Sequence, residues 1–372
     1  MDYSEFYDRL INFYGKVVSK LPFGYALLPI RTTIEITYDC NLQCSMCYQI
    51  RERKDKKLRQ ELKASEIKKI IDQMPPKALI SLTGGEILTK NYALDLVNYA
   101  CRSHYCNLVT NGTLIDEDIA QKLVKTKLLL IGISLDGLGN VHNKIRGVRG
   151  TFEKAVAGIK LIQKEKAKLK KRKPLIDIKT VILPENVSQL YNLYRLCRQL
   201  KVNFLTISVL KGSTIQLSPP VLEKISENDF HSFFKTKGLI NPQILQRQLE
   251  MIFQDKSEVK VRFYPGNLRQ RAKEYFTDEI KISDYFPCIF PWVAYNISPY
   301  GDIFPCIALN VGNIREKSLW QIWNGQKMRQ FRQKLKKHQV FPACQGCCNL
   351  WLKESTNQQN SLAKRKGRDV RS

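Results

Sequence analysis

Short apolar or β-branched runs alternate along this chain with longer amphipathic segments, from Ile34 to about residue 265. The runs that predict strands are Thr33–Thr37, Ala78–Thr83, Asn107–Thr110, Leu129–Leu135, Ile176–Leu183 and Phe204–Leu210. The segments that predict helices between them include Ala64–Met74, Tyr92–Cys101, Glu117–Lys125, Thr151–Glu165 and Val187–Leu200. This alternation predicts parallel strands joined by right-handed crossovers. Because six such units are too few for a full eight-unit barrel, we expect an α/β partial barrel or open parallel sheet that binds ligands at the carboxyl ends of its strands.

The charge of the chain is strongly positive, with 61 Lys and Arg residues against 34 Asp and Glu residues and a formal net charge of +27. This excess favours an anionic partner, which can be nucleic acid, an acidic membrane surface or an acidic substrate. The first residues lack the pattern of a signal peptide, and no apolar run approaches the roughly 18 residues of a membrane span. We therefore expect a cytoplasmic protein whose 11 cysteines bind metal as thiols rather than form disulfides.

Three cysteines, Cys40, Cys44 and Cys47, follow the first predicted strand with C-x3-C-x2-C spacing. Thiolates this close together on one loop can hold a single metal centre, and cysteine is the usual ligand of an iron–sulfur cluster. A four-iron cluster with only three protein ligands keeps one iron open to a substrate or cofactor. The alternatives are a zinc site and unbonded core thiols. The spacing favours the cluster, because zinc sites prefer paired C-x2-C spacing and no fourth ligand is close in the sequence.

This spacing, placed directly after the first strand, resembles the signature of the radical S-adenosylmethionine (AdoMet) superfamily. Gly84-Gly85-Glu86 follows the second strand, where the family has a tripeptide that binds the amino group of AdoMet. The resemblance implies that role for Gly84, Gly85 and Glu86, although Ile87 stands where the family usually has proline. Taken without the resemblance, Gly-Gly-Glu usually forms no more than a turn.

The ends of the third and fourth strands continue the resemblance. Asn111 lies in a Thr-Asn-Gly sequence that matches the family's third strand and implies cofactor contact, while an Asn-Gly turn explains it equally well. The segment from Ser134-Leu135-Asp136-Gly137 to Arg146-Gly147 resembles that of SPASM-type radical enzymes. It implies that Ser134 and Asp136 bind the ribose hydroxyls and that Arg146 binds the AdoMet carboxylate.

One departure from the family occurs inside this segment. His142 matches a family histidine, but Asn143 replaces the aspartate that follows it. We interpret His142 as a structural residue rather than a catalytic one, because a loop histidine has many uses as a hydrogen-bonding group.

A second set of cysteines lies near the carboxyl terminus, at Cys288, Cys306, Cys344, Cys347 and Cys348. Its pattern resembles the twitch subdomain, a shortened SPASM domain in which four cysteines hold one auxiliary [4Fe–4S] cluster. We predict the first four as ligands, with Cys348 as a substitute for Cys347. Structural zinc is the alternative that the same spacing allows, and the radical AdoMet motifs elsewhere in the chain favour the auxiliary cluster.

The sequence divides into five predicted segments. They are an N-terminal amphipathic helix and lead-in (1–30), the radical AdoMet partial barrel (31–213), a connecting or substrate region (214–285), a twitch or SPASM-like subdomain (286–352) and a basic, disordered tail (353–372). The first helix presents an apolar face, which predicts either packing on the barrel or attachment to a membrane surface; packing is the commoner use of such a face.

The resemblance implies an enzyme that cleaves AdoMet reductively, and it implies an external reductant such as ferredoxin or flavodoxin. The 5′-deoxyadenosyl radical would then remove hydrogen from an unactivated C–H bond, for oxidation or cross-linking of a peptide, a carbohydrate or a lipid. One alternative is a radical methyl- or methylthiotransferase that acts on RNA or protein. The other is a non-catalytic metal protein that binds nucleic acid through its charge, which the ordered AdoMet motifs disfavour.

Overall fold

The computed structural model describes residues 3–47, 49, 59–210, 239–277, 279–306, 309–341, 344, 347 and 349–354. The strands are β1 (Arg31–Glu35), β2 (Leu79–Thr83), β3 (Tyr105–Thr110), β4 (Leu130–Ser134), β5 (Leu175–Val181), β6 (Phe204–Ser208), β7 (Lys260–Tyr264), β8 (Ala294–Ile297), β9 (Asp302–Phe304) and β10 (Gly312–Asn313). The helices are α1 (Tyr3–Val18), α2 (Ala64–Asp72), α3 (Ala93–Ala100), α4 (Glu117–Lys125), α5 (Gly139–Arg146), α6 (Thr151–Lys168), α7 (Leu190–Gln199), α8 (Pro242–Gln254), α9 (Leu268–Phe276), α10 (Phe290–Val293), α11 (Leu319–Trp323) and α12 (Gln326–His338). Among these residues, no helix is long and apolar enough to cross a membrane.

The ten strands form one sheet with the order β10-β9-β8-β1-β2-β3-β4-β5-β6-β7. Neighbours from β1 to β7 are parallel, which confirms the predicted α/β architecture and its six predicted strands. The sheet also continues past the predicted barrel at both ends. Strand β7 lies in the region interpreted from the sequence as a connecting segment, and it pairs in parallel with β6.

The C-terminal region joins the barrel directly through β8. This strand pairs in parallel with β1. The runs Val293–Ser298 and Ile303–Cys306, on either side of a Tyr-Gly-Asp turn, predict a hairpin, and β8 and β9 form it as an antiparallel pair. Tyr300 in the hairpin turn packs edge-on against Tyr38, with ring centroids 5.5 Å apart, just beyond β1. The region that carries the second cysteine set is therefore hydrogen-bonded into the same sheet as the barrel.

The two faces of the strands differ in chemistry. In β5, Ile176 and Ile178 are fully buried in the main hydrophobic core, whereas Asp177 and Lys179 point to the opposite face. The apolar face packs against the surrounding helices and contributes most of the stability of the fold. The other face remains available to line a site.

Candidate active site and cluster sites

The first cysteine set lies on a loop that begins after β1 and is fixed against the end of α5. The backbone N–H groups of Gln43 and Ser45 donate to the carbonyls of Arg146 and Ile145, at 3.2 and 2.9 Å. Gly147 follows α5 with a φ of +72°, and a Cβ there would lie 2.4 Å from the Gln43 carbonyl oxygen. This close approach, together with the left-handed backbone, requires glycine. The loop therefore presents its thiols from a fixed frame.

Two polar side chains approach the sulfur atoms of this loop. Nη1 of Arg146 lies 3.6 Å from Sγ of Cys44, and Nδ2 of Asn111 lies 3.9 Å from Sγ of Cys40. Cys44 is buried, while Cys40 and Cys47 are half-buried. Donors that point at ligand sulfurs stabilise thiolates and tune an attached cluster. This donor set fits an iron–sulfur cluster.

The loop after β2 packs tightly on the loop after β1. The N–H of Gly85 donates to the Thr37 carbonyl and that of Glu86 to the Asp39 carbonyl, each at 2.7 Å. A Cβ on Gly84 would lie 2.4 Å from the Thr37 oxygen, and one on Gly85 would lie 2.2 Å from the Asp39 oxygen. The two glycines are thus required by the contact between the loops, whatever ligand they serve.

The Glu86 carboxylate is fully buried and lies among protein donors. It accepts hydrogen bonds from Thr110 Oγ1 at 2.7 Å, the Asn111 N–H at 2.6 Å and the Leu88 N–H at 3.0 Å. Burial raises its pKa, and the three hydrogen bonds oppose that rise. The carboxylate therefore joins the ends of β2 and β3, and a contact between it and the cofactor ammonium group stays a prediction.

Asp136 and Arg146, predicted to contact different parts of AdoMet, form an ion pair with each other. Nη2 of Arg146 lies 2.5 Å from Oδ2 of the fully buried Asp136, whose Oδ1 accepts the Val181 N–H at 2.9 Å. Burial alone would lower the pKa of Arg146, but the negative charges of Asp136 and Cys44 raise it overall. Their roles toward the ribose and the carboxylate of AdoMet stay predictions. Ser134 is half-buried at the end of β4.

His142 and Asn143 have structural partners. Nδ1 of the buried His142 accepts the Asp136 N–H at 3.0 Å. Burial and the nearby Arg146 lower the pKa of His142 to about 3, so the ring is neutral at physiological pH. Oδ1 of Asn143 accepts from the Thr151 hydroxyl and the Phe152 N–H, both at 2.8 Å. An amide at this position therefore caps α6.

The second cysteine set comes together in the C-terminal region. Cys288, Cys306 and Cys347 each raise the pKa of Cys344 through their charge, although burial is the largest cause. Burial also raises the pKa of Cys288 to about 12. The interaction of these charges places Cys288, Cys306 and Cys347 near Cys344, and thiol donors gathered in this way fit the binding of an iron–sulfur cluster. Cys348 lies outside the described residues.

Across the described part of the chain, no three Cys, His, Asp or Glu side chains are close enough to hold a single metal ion. The fit of the two cysteine sets to clusters therefore rests on their thiol donors and on the groups around them. Assignment of Cys40, Cys44, Cys47, Cys288, Cys306, Cys344 and Cys347 as ligands stays a prediction.

A charged group on the lumen side of the sheet was not predicted from the sequence. Asp177 is fully buried, and its Oδ2 lies 2.8 Å both from Nζ of Lys179 and from Nη2 of Arg262. Its Oδ1 accepts from the Thr206 hydroxyl at 2.7 Å. Gly132 provides space for Lys179, since a Cβ there would lie 2.4 Å from Cε of that lysine. The signal was the polar–apolar alternation Ile-Asp-Ile-Lys of β5.

Comparison with known proteins identifies both cysteine regions. A model of the radical SAM superfamily matches residues 34–197, and a model of SPASM, an iron–sulfur cluster-binding domain, matches residues 288–348. The chain is 27% identical over 315 residues to an AdoMet-dependent heme synthase of Methanosarcina barkeri, which covers 80% of this chain and 83% of that protein. It is 30% identical over 197 residues to Fe-coproporphyrin III synthase of the same organism, 51% of this chain and 47% of that one.

The fold has a solved counterpart in Streptococcus suis SuiB bound to its precursor peptide SuiA. That structure aligns with a TM-score of 0.62 at 19% identity, over 90% of this chain and 74% of SuiB. These matches confirm the predicted cofactors, which are a [4Fe–4S] cluster with AdoMet and an auxiliary iron–sulfur cluster. The chain belongs to the radical AdoMet superfamily and is a member of its SPASM type.

Proposed function

We propose that this radical AdoMet enzyme removes hydrogen from an unactivated C–H bond in order to oxidise or cross-link its substrate. The observation that supports this proposal is the second thiol set, Cys288, Cys306, Cys344 and Cys347. Four protein ligands leave no iron of an auxiliary cluster open to substrate. Such a cluster suits the removal of one electron from a substrate radical, and electron loss after hydrogen abstraction amounts to oxidation.

The roles of the chain's own residues follow from their contacts. Cys40, Cys44 and Cys47 would hold the first cluster and leave one iron for AdoMet, which supplies the 5′-deoxyadenosyl radical when bound. Gly84 and Gly85 hold the loop after β2 against the loop after β1, so main-chain groups are best placed to bind the cofactor's amino group. The buried Glu86 positions this loop and the start of the Asn111 turn.

The lumen of the barrel supports a substrate that carries an acidic group. Asp177 is one carboxylate between two cations, Lys179 and Arg262, so this group has excess positive charge. The side chain of Lys179 remains 35% exposed on that face. The relatives include synthases of heme and of Fe-coproporphyrin III, as well as an enzyme solved with a precursor peptide. Porphyrins and peptides both can carry carboxylates, so we propose an acidic peptide or porphyrin as the substrate class.

The first test is anaerobic reconstitution with iron and sulfide, followed by dithionite and AdoMet. We expect 5′-deoxyadenosine to form, and to disappear when Cys40, Cys44 and Cys47 are all changed to alanine. Cys101→Ala is the matched control, because Cys101 is a buried thiol of the hydrophobic core. A protein that takes up zinc in place of iron, or a triple variant as active as wild type, would contradict the proposal.

The substrate class is tested separately with flavodoxin or ferredoxin as the reductant. Candidate peptides and porphyrins are supplied with free carboxylates and as methyl esters. We expect mass spectrometry to detect loss of hydrogen only in the free acids. Equal conversion of acid and ester would contradict the proposal that Lys179 and Arg262 select an acidic substrate. It would not contradict the proposed radical chemistry.

A further inference from the structure

A cluster of exposed apolar side chains covers the N-terminal part of the protein. Seven of the 14 large hydrophobic residues that are exposed in the described structure lie between residues 10 and 28. We call them the N-terminal apolar surface: Leu10, Phe13, Val17, Phe23, Tyr25, Leu27 and Leu28. Soluble monomers rarely leave such a concentration of apolar groups in water.

The opposite face of α1 is already packed on the protein. Val18 is buried, and Gly15 lies so close to α10 that a Cβ would be 2.7 Å from Ile289. The outward residues of α1 therefore cannot turn inward. Phe23 is held with a φ of +53° while its side chain is 71% exposed. A bulky residue rarely adopts this left-handed backbone, and here the strain aims an aromatic ring at solvent.

The N-terminal apolar surface lies near the amino ends of the parallel strands. The Tyr14 hydroxyl donates to the Leu28 carbonyl at 2.7 Å and so ties α1 to this segment. Two residues further on, the Ile30 carbonyl accepts from the N–H of Leu79 at the start of β2. The loops that enter strands β2 to β6 at this end are basic. Among their residues are Lys77, Arg102, Lys127, Lys170, Lys171, Arg172, Lys173 and Lys201.

A cavity of about 790 Å³ opens among these basic loops. Six cations line it, and none of its lining residues is acidic: Lys160, Lys166, Lys170, Lys171, Arg172 and Lys201. Lys171 caps the end of α4 by donating to the Val124 and Lys125 carbonyls. Lys166, in contrast, does not donate to the end of a helix. It is only 9% exposed and has no ion-pair or hydrogen-bond partner for its ammonium group among the described residues.

We propose that the amino end of the barrel docks on an anionic phospholipid bilayer. The N-terminal apolar surface would enter the boundary between headgroups and acyl chains, and the basic loops and cavity would bind lipid phosphates. The charge of the chain, +27, complements such a surface. This inference is independent of the proposed catalytic function.

The test is sedimentation of the full-length protein with vesicles of phosphatidylcholine, with or without one quarter phosphatidylglycerol. We expect binding to the anionic vesicles that weakens on going from about 0.1 to 0.5 M salt, because that change shortens the Debye length. Phe13→Ala with Phe23→Ala should weaken binding about tenfold or more, as should Lys160→Glu with Lys170→Glu and Arg172→Glu. Both sets change exposed side chains, so folding is retained and is checked by circular dichroism.

Two controls separate this surface from general effects of charge and apolarity. The first control combines Lys144→Glu, Arg149→Glu and Lys154→Glu near the carboxyl ends of the strands. It changes the net charge by the same amount as the triple variant of the cavity, and it should bind vesicles more tightly than that variant. The second control, Leu239→Ala, removes an exposed apolar side chain outside the N-terminal apolar surface and should leave vesicle binding unchanged. Equal binding to neutral and anionic vesicles would overturn the proposal. So would binding of inorganic phosphate without any binding to vesicles, or a dimer in solution that Phe13→Ala abolishes without any vesicle binding.

Discussion

Arg146 contacts both Asp136 and Cys44 through different guanidinium nitrogens, so one side chain links a buried carboxylate to a predicted cluster ligand. A lysine ammonium group cannot span both positions. We expect Arg146→Lys to lower the reduction potential of the first cluster, because the sulfur of Cys44 loses its charged donor. The measurement is a redox titration followed by electron paramagnetic resonance, with the exposed Arg149→Lys as the control. An unchanged potential would mean that this contact does not tune the cluster.

His142 makes a prediction about stability and pH. Its pKa in the folded protein is lowered to about 3, whereas the unfolded chain has an ordinary histidine. Below a pH of about 6.5 the unfolded state therefore binds a proton that the folded state does not. As a result, His142 lowers the free energy of unfolding by about 2 kcal/mol between pH 7 and pH 5. In His142→Asn, which keeps an acceptor for the Asp136 N–H, this loss should vanish. Urea unfolding of both cluster-free proteins at each pH measures the difference, and parallel curves would contradict it.

At the scale of elements, α12 anchors the N-terminal segment to the C-terminal region through one buried arginine. Arg332 is fully buried and donates to the carbonyls of Pro291 and Gly24 at 2.8 and 3.2 Å. It also stacks on the Trp323 ring, 4.1 Å from the centroid. We expect Arg332→Met to cost about 3 kcal/mol of unfolding free energy, because buried acceptors lose their donor. Lys337→Met, on an exposed position of the same helix, should change it by less than about 0.5 kcal/mol.

The elements themselves were predicted unevenly, for reasons visible in their residues. Strands β1 to β6 carry apolar or β-branched runs on the face that meets the helices, and their positions were predicted within a few residues. Strand β7 was missed because Lys260 and Arg262 alternate with Val261 and Phe263 in a region without other regular signals. The hairpin of β8 and β9 was predicted, but its pairing with β1 was not. Pairing between distant strands depends on the tertiary fold, which periodicity does not report.

For the molecule as a whole, the motifs that come together were predicted correctly from the sequence, whereas the contacts of single side chains within them were not. The motifs after β1 to β4 do converge at the carboxyl ends of the strands, as the fold requires. The charged groups of Glu86, Asp136 and Arg146 nevertheless bind other groups of the protein. A motif records residue types and spacing, and it cannot show which donors a buried carboxylate finds once the loops pack. The ion pair of Asp177 with Arg262 was not predicted, because Arg262 lies 85 positions after Asp177 in the chain.

The pairing of β8 with β1 has a mechanical consequence. Adjacent strands joined by hydrogen bonds cannot move apart unless those bonds break. The pairing therefore fixes the position of the second cysteine region relative to the first. The separation between their cofactors is then set once, when the chain folds. We expect any electron transfer between the two regions to proceed without domain closure, at a rate that is insensitive to solvent viscosity.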